Sequence, residues 1–179
     1  MAEMQDELGK LVPNLRAFAR SLSGSADQAD DLVQETLVKA WKHRDSFAPG
    51  SNLKAWLFTI LRNAYLSERR KRKLEVEDRD GVFAARVSVN GEQSGHMDLM
   101  DFSKALDNLP PDQKEALLLI GAEGFSYEEA ALMCGCAVGT IKSRVNRARV
   151  RLAEVLKVSG AADYGPEQFP SSHDRKASV

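Results

Sequence analysis

Apolar residues recur near the start of the chain at Leu8, Leu11, Val12, Leu15, Phe18 and Leu22, mostly three or four apart, as on one face of a helix. Pro13 falls inside this run. Proline removes a backbone donor, so a kink or a fresh helical start is expected there. Gly24 is the expected stop. Ser25 then stands three residues before Gln28, the spacing of a capping box. A second helix, 26–42, follows, with Ala29, Leu32, Val33, Thr36, Leu37, Ala40 and Trp41 on its inward face. Residues 45–52, which include Pro49 and Gly50, read as a loop. Residues 53–73 read as a third long helix with Leu53, Trp56, Leu57, Ile60 and Ala64 turned inward.

The period lapses over 74–100, where Gly81, Gly91 and Gly95 accompany an acidic excess. That composition predicts a flexible linker, with a short ordered piece near Val82 to Val89. Helical spacing then resumes. Leu106 and Leu109 precede Pro110 and Pro111, which suit a helix start. A helix over 113–122 ends at Gly124. Ser126 and Glu129 form a second capping-box pair, opening a short helix through Met133. Gly135 turns the chain, and 138–155 is the last helix. From Gly160 onward the chain is polar, with Pro166 and Pro170, and reads as a disordered tail. The expected fold is all-α: two small helical domains, 1–73 and 101–158, joined by the linker 74–100 and followed by a tail, 159–179.

A length of 179 residues suits one medium domain or two small ones. The 43% hydrophobic and 28% charged fractions are ordinary for a globular protein. The longest strongly apolar run, Ala116 to Ile120, is far short of a membrane span. Residues 1–9 are polar and acidic, unlike a secretory leader. Cys134 and Cys136 are the two cysteines, too few and too close for a disulfide framework. A cytoplasmic location with no membrane partner is expected.

The formal net charge of −1 hides a segregation. Arg62, Arg69, Arg70, Lys71, Arg72 and Lys73 face a single acid, Glu68, within 62–73. Lys142, Arg144, Arg147, Arg149 and Arg151 face none within 138–152. Between the two patches, over 75–101, seven acids stand against Arg79 and Arg86. Such blocks are either solvated helix faces or two nucleic-acid contacts beside a further charged partner.

Residues 127–151 carry the grammar of a helix-turn-helix: a short helix, a tight turn at glycine and a longer basic helix. On the last helix Ile141, Val145, Ala148 and Leu152 form one row, expected to pack inward. Thr140, Ser143, Arg144, Arg147 and Arg151 form another, with Lys142 beside it, able to enter a major groove. Arginine suits that place because its fork reads a guanine edge bidentately, while Ser and Thr reach base or phosphate. Cys134 and Cys136 raise a metal site, but His43, His96 and His173 are scattered and no second cysteine pair exists, so no metal is expected.

On the second helix, Asp27, Asp30, Asp31, Gln34 and Glu35 form a continuous acidic row opposite the apolar face. Acids in a first turn favour the helix dipole, which accounts for Asp27 and Asp30 but not for Glu35. A basic partner helix would account for the whole row. Downstream, Phe47, Trp56, Phe58 and Tyr65 interleave with Lys54, Arg62, Asn63, Arg69 and Arg70. Aromatic faces stack bases, an amide meets a base edge and arginines hold phosphate, so this mixture suits melted DNA. Trp56 is the aromatic expected in the core, and Phe47 and Asn63 are the pair expected to be functional.

These segments resemble the extracytoplasmic-function sigma factors. Asp30 to Trp41 (DDLVQETLVKAW) resembles the second conserved region of that family, and Trp56 to Asn63 its promoter-melting continuation. Leu109 to Pro111, Ser126 to Ala130 and Gly139 to Arg149 resemble its fourth region. The similarity covers about residues 8–155, and the segment Ser23 to Phe47 is similar to the EcfG-like, general-stress-response subgroup of alphaproteobacteria.

The resemblance implies that the acidic row binds the clamp coiled coil of core RNA polymerase. It places Phe47 and Asn63 at a pocket for a flipped base of the minus-ten element, with Lys54, Arg62, Arg69 and Arg70 binding the DNA of the same element. It puts Thr140, Lys142, Ser143, Arg144, Arg147 and Arg151 at the minus-thirty-five element of promoter DNA. It also implies control by a small anti-sigma factor of the NepR kind, released by a response regulator with a sigma-like decoy domain. No cofactor, small-molecule substrate or catalytic residue is expected.

The alternative of another class is a decoy that binds an anti-sigma factor and never starts transcription. Such decoys carry a receiver domain, for which this chain has no room beside its sigma-like sequence. A simple helix-turn-helix repressor would leave the acidic row unexplained. An enzyme would require a phosphate loop, a ligand cluster or a nucleophile–base pair, and none is found.

Overall fold

The computed structural model describes residues 2–48, 50–77 and 97–156. Seven α-helices occur among them: α1 (Ala2–Ser23), α2 (Ala26–Lys42), α3 (Leu53–Glu77), α4 (Met97–Asp107), α5 (Pro111–Leu117), α6 (Tyr127–Cys134) and α7 (Val138–Leu156). A short 3-10 turn, Arg44–Ser46, follows α2. The described residues contain no strand. None of their helices is long and apolar enough to cross a membrane. The chain divides into two compact units, Met1–Met97 and Asp98–Val179.

In the first unit α1, α2 and α3 pack on one another. Gly24 adopts a left-handed conformation (φ +72°) and donates its N–H to Arg20 O at 2.8 Å, closing the end of α1 without a side-chain clash. Ser25 is the N-cap of α2, its hydroxyl accepting from Gln28 N at 3.5 Å. The core takes Leu15, Phe18 and Ala19 from α1, Ala29, Leu32, Val33 and Ala40 from α2, and Leu53, Leu57, Phe58, Leu61 and Ala64 from α3. Thr36 is fully buried and donates its hydroxyl to Leu32 O at 2.7 Å, so its polar group is satisfied. Phe18 and Phe58 meet in a tilted pair, centroids 5.1 Å apart.

Three expectations change here. Pro13 lies inside a helix that runs through it without a fresh start. Trp41 is turned out, 44% exposed beneath the Arg44 guanidinium, and is no part of the core. Phe58 and Leu61, absent from the expected inward face of α3, are in the core, while Trp56 and Ile60 are only half-buried. A helix wedged between two others buries a wider arc than a single four-residue ladder marks.

In the second unit α7 packs against α5 and α6. Ala105 and Leu109, from α4 and the turn after it, meet Ala148 and Leu152 of α7, with Leu106, Leu117 and Leu156 packed at the margin. Pro111 opens α5 at the position where a missing N–H costs nothing. The expected helix 113–122 divides: after Leu117 the chain widens into a π turn, Leu118–Ala122, in which Glu123 N donates to Leu118 O at 3.0 Å. The wider turn puts Leu118 and Leu119, adjacent in sequence, both into the interior. Lys114 is buried and pairs with Asp107 at 2.7 Å, fixing the end of α4 to α5.

Helix α3 continues to Glu77 and α4 begins at Met97, so helix enters both ends of the stretch 74–100. The ordered piece expected near Val82 to Val89 and the tail 159–179 lie outside the described residues.

Candidate nucleic-acid and protein interfaces

The acidic row of α2 is on the surface. Asp27, Asp31, Gln34 and Glu35 are exposed and Asp30 is half-buried. Two members are tied within the first unit: Asp30 to Arg16 of α1 at 2.6 Å, and Glu35 to Lys39 one turn on, also at 2.6 Å. Val38 and Trp41 extend the row, 67% and 44% exposed. Asp27, Asp31, Gln34, Val38 and Trp41 are four, three, four and three residues apart, the seam spacing of helices that pair side by side. The apolar end of this seam was not foreseen, because Trp41 was assigned inward. Its place seven residues after the outward Gln34 is the signal that was available.

The loop after α2 and the start of α3 form a second surface. Asn52 accepts from Ala55 N at 3.1 Å through its side-chain oxygen, capping α3 and setting the direction in which that helix leaves the loop. Phe47 packs on Trp56 with centroids 5.2 Å apart. An open concavity of about 550 Å³ lies beside them, lined by Phe47, residues 50–54 including Lys54, and Glu7, Lys10 and Leu11 of α1. Asn63 does not line it. It is exposed on α3 seven residues beyond Trp56, on the same face and about 10 Å further along the axis. Lys54 lies over the Phe58 ring at 5.5 Å. Arg62 is half-buried, and Arg69 and Arg70 are exposed. Arg69 lines a smaller hollow of about 150 Å³ with Tyr65, whose hydroxyl donates to Leu22 O at 3.1 Å.

The third surface is α7. A complete capping box starts α6: Glu129 N donates to Ser126 Oγ at 3.1 Å and Ser126 N to Glu129 Oε2 at 2.9 Å. Gly135 takes a left-handed conformation (φ +62°), and Cys136 N reaches back to Ala131 O at 3.1 Å. These bonds close the start of α6 and the turn that precedes α7. Ile141, Val145, Ala148 and Leu152 are buried as the spacing required. On the far side Lys142, Ser143, Arg147 and Arg151 are exposed, and Thr140 is half-buried at the start of the row.

Arg144 departs from that row. Its Nε stands 3.2 Å from Asp112 Oδ2 on α5, its side chain is only 23% exposed, and Nη1 donates to Cys136 Sγ at 4.0 Å. It was expected at the groove, yet the structure spends its guanidinium on holding α7 to α5. Arg147 instead folds along its own helix, Nη2 donating to Ser143 Oγ at 2.8 Å and Nε to Ser143 O at 3.3 Å, within the exposed surface. Asn146 and Val150, also exposed between these residues, complete the outer face and were missed because only basic and hydroxyl side chains were counted. The described residues contain no group of His, Cys, Asp and Glu able to hold a metal ion.

The profile of sigma-70 region 2 matches residues 9–75, and that of sigma-70 region 4 matches residues 99–152. The ECF RNA polymerase sigma factor EcfG of Rhodopseudomonas palustris is 60% identical over 164 residues, covering 92% of this chain and 91% of its own. The chain belongs to the extracytoplasmic-function sigma factor family. Among solved structures, this sigma factor is similar to RpoE of Bartonella quintana, determined in complex with the anti-sigma factor NepR. That likeness has a TM-score of 0.80 at 60% identity and covers 89% of this chain and all of that one. It is also similar to CnrH in complex with the cytosolic domain of CnrY, with a TM-score of 0.62 at 28% identity over 87% of this chain and 91% of that one. The region 2 match spans the acidic row and the loop-and-helix surface of the sigma factor, and the region 4 match spans its helix-turn-helix.

Proposed function

We propose that this sigma factor binds core RNA polymerase through the α2 row Asp27, Asp30, Asp31, Gln34 and Glu35, and reads promoter DNA through two separate surfaces. The minus-ten element is taken by Phe47, Lys54, Arg62, Asn63, Arg69 and Arg70. The minus-thirty-five element is read by Thr140, Lys142, Ser143, Arg147 and Arg151, with Arg144 holding the reading helix in place. Base discrimination by α7 comes from donors on one exposed face, while the arginines and lysines of α3 hold backbone phosphate without sequence preference. The factor works in the cytoplasm, serves a general stress response and is held inactive by an anti-sigma factor of the NepR kind. The complex formed by the Bartonella relative supports that last point.

The observation that carries this reading is the opposition of two rows on α7: a buried apolar one, and an exposed one bearing Lys142, Ser143, Arg147 and Arg151. The test is transcription from genomic DNA by core polymerase with and without the purified chain. Transcripts starting at defined sites only when the chain is present are expected. An unchanged transcript pattern on adding the chain overturns the reading.

A further inference from the structure

The function proposed above assigns no role to the two cysteines, yet they occupy the turn that aims α7. Both are half-buried and not joined by a disulfide. Cys134 is the last residue of α6 and Cys136 follows the left-handed Gly135. Each sulfur has its own partner on a neighbouring helix, one on α5 and the other on α7. Cys134 Sγ lies 3.7 Å from Glu115 Oε2, and Cys136 Sγ lies 4.0 Å from Arg144 Nη1. Arg144 Nε in turn lies 3.2 Å from Asp112 Oδ2. Asp112 and Glu115 are three residues apart on α5, one helical turn.

Two trans peptide bonds hold the Cα atoms of residues two apart within about 7.6 Å, and a left-handed bend between them shortens that into the range a disulfide spans. Gly135 supplies the bend, and its lack of a side chain lets the backbone adjust as the sulfurs approach.

We propose that Cys134 and Cys136 are a peroxide-oxidisable pair that forms an intrachain disulfide and thereby misaligns the reading helix. The Cys136 sulfur attacks one peroxide oxygen and the O–O bond breaks. The departing hydroxide leaves beside the Arg144 guanidinium and takes a proton to become water. Cys136 is then a sulfenic acid. The Cys134 sulfur attacks it, the S–S bond forms as the S–O bond breaks, and a second water leaves with the remaining proton. Two thiols are oxidised and one peroxide is reduced to two waters. The product withdraws Cys134 from Glu115 of α5 and Cys136 from Arg144 of α7, so the turn loses its sulfur contacts with the helix beneath it and with the helix it aims. The consequence for DNA rests on the reading of α7 proposed above, whereas the chemistry at sulfur does not.

The experiment treats the full chain with hydrogen peroxide, measures its intact mass, and then measures promoter-dependent transcription with core polymerase before and after a dithiol reductant. A mass about 2 Da lower than the reduced chain is expected, both in the species without added oxygen and in each species carrying sulfoxide on one or more of the five methionines, with both free thiols lost to an alkylating label. Transcription from a promoter requiring the upstream element is expected to fall about tenfold, comparable to losing one base contact, and to return on reduction. Cys134→Ser and Cys136→Ser, made separately, each abolish the 2 Da loss and keep transcription after peroxide. Because the mass is also read on the unmodified sequence, a variant that fails to fold does not remove the test. Stable oxygen addition without the 2 Da loss overturns the pairing. A complete 2 Da loss with unchanged transcription overturns the misalignment. Failure of the reduced chain to direct transcription at all counts against the promoter-reading function and leaves the mass result to decide the sulfur chemistry.

Discussion

Helix α2 and helix α7 carry surface rows of opposite charge, and each divides its charged side chains between the fold and the exterior. On α2, Asp30 and Glu35 are tied to Arg16 and Lys39, while Asp27, Asp31 and Gln34 stand exposed beside Val38 and Trp41. On α7, Arg144 is spent on Asp112, while Lys142, Ser143, Arg147 and Arg151 stand exposed. The difference lies in what accompanies the charge. The α2 row ends in a tryptophan and a valine, which suits a protein helix that must be desolvated against it. The α7 row is almost wholly polar donors, which suits phosphate and base edges. The two exposed rows thus differ in the balance of apolar and polar neighbours: Val38 and Trp41 at the end of the α2 row, and Val150 alone among the polar side chains of the α7 row.

The sharpest way to break this contrast is to reverse the α2 charge. Asp31→Arg with Glu35→Arg is expected to weaken core polymerase binding by about 2–5 kcal/mol, the usual cost of spoiling a desolvated charge pair. Thermal unfolding should move little, since exposed pairs one turn apart contribute only a few tenths of a kcal/mol. Unchanged affinity in a titration would remove α2 from the interface.

On α7, Arg147→Ala is expected to cost about 1–3 kcal/mol at the upstream element and to relax preference at one or two base pairs, with unfolding unchanged. Arg144→Ala should do the opposite, lowering the unfolding midpoint of the second unit more than it alters base preference. A promoter-mutant panel in which Arg144→Ala relaxes specificity and Arg147→Ala does not would reverse the division of labour drawn here.

The surface formed by the loop after α2 and by α3 is probed by Asn63→Ala and Phe47→Ala. Removing a side chain that stacks a base typically costs about 1–3 kcal/mol. Phe47→Ala is expected to slow open-complex formation, and Asn63→Ala to narrow base preference at one minus-ten position while polymerase binding holds. Permanganate footprinting on duplex and pre-melted templates reads both. Wild-type opening and preference for Asn63→Ala would make it a structural residue.

The smallest expected effect concerns the frame of α7. Ser126→Ala removes one half of the capping box and should cost the second unit about 1 kcal/mol of stability by calorimetry. A loss of upstream-element affinity far beyond that stability change would show that the cap also sets the angle of the reading helix.

Much of the second unit was legible in the sequence because its determinants are local. Ser126 and Glu129 are one turn apart, Gly135 needs no distant partner to adopt a positive φ, and the row Ile141, Val145, Ala148, Leu152 follows from helical pitch. In the first unit the same reasoning recovered α2 from end to end and the positions of most of its buried residues. It misplaced Trp41, Trp56 and Phe58 because an aromatic residue near the edge of a helix face can serve either side. Only the neighbouring helix decides which side is open.

The sequence alone therefore determined α2, α6 and α7, the caps at Ser25 and Ser126 and the inward row of α7, all of which depend on residues a turn or two apart, and the family. The tertiary structure decided three matters that depend on residues far apart in the chain. Asp112 on α5 draws Arg144 out of the exposed row of α7, because two opposite charges brought together at a partly covered junction attract more strongly than in open water. The concavity beside Phe47 is completed by Lys10 and Leu11 from α1 and leaves Asn63 outside it, because α3 carries that residue two turns along its axis. Cys134 meets Glu115, 19 residues away in the chain, only through the packing of the second unit, where burial of apolar surface along α7 brings the helices together.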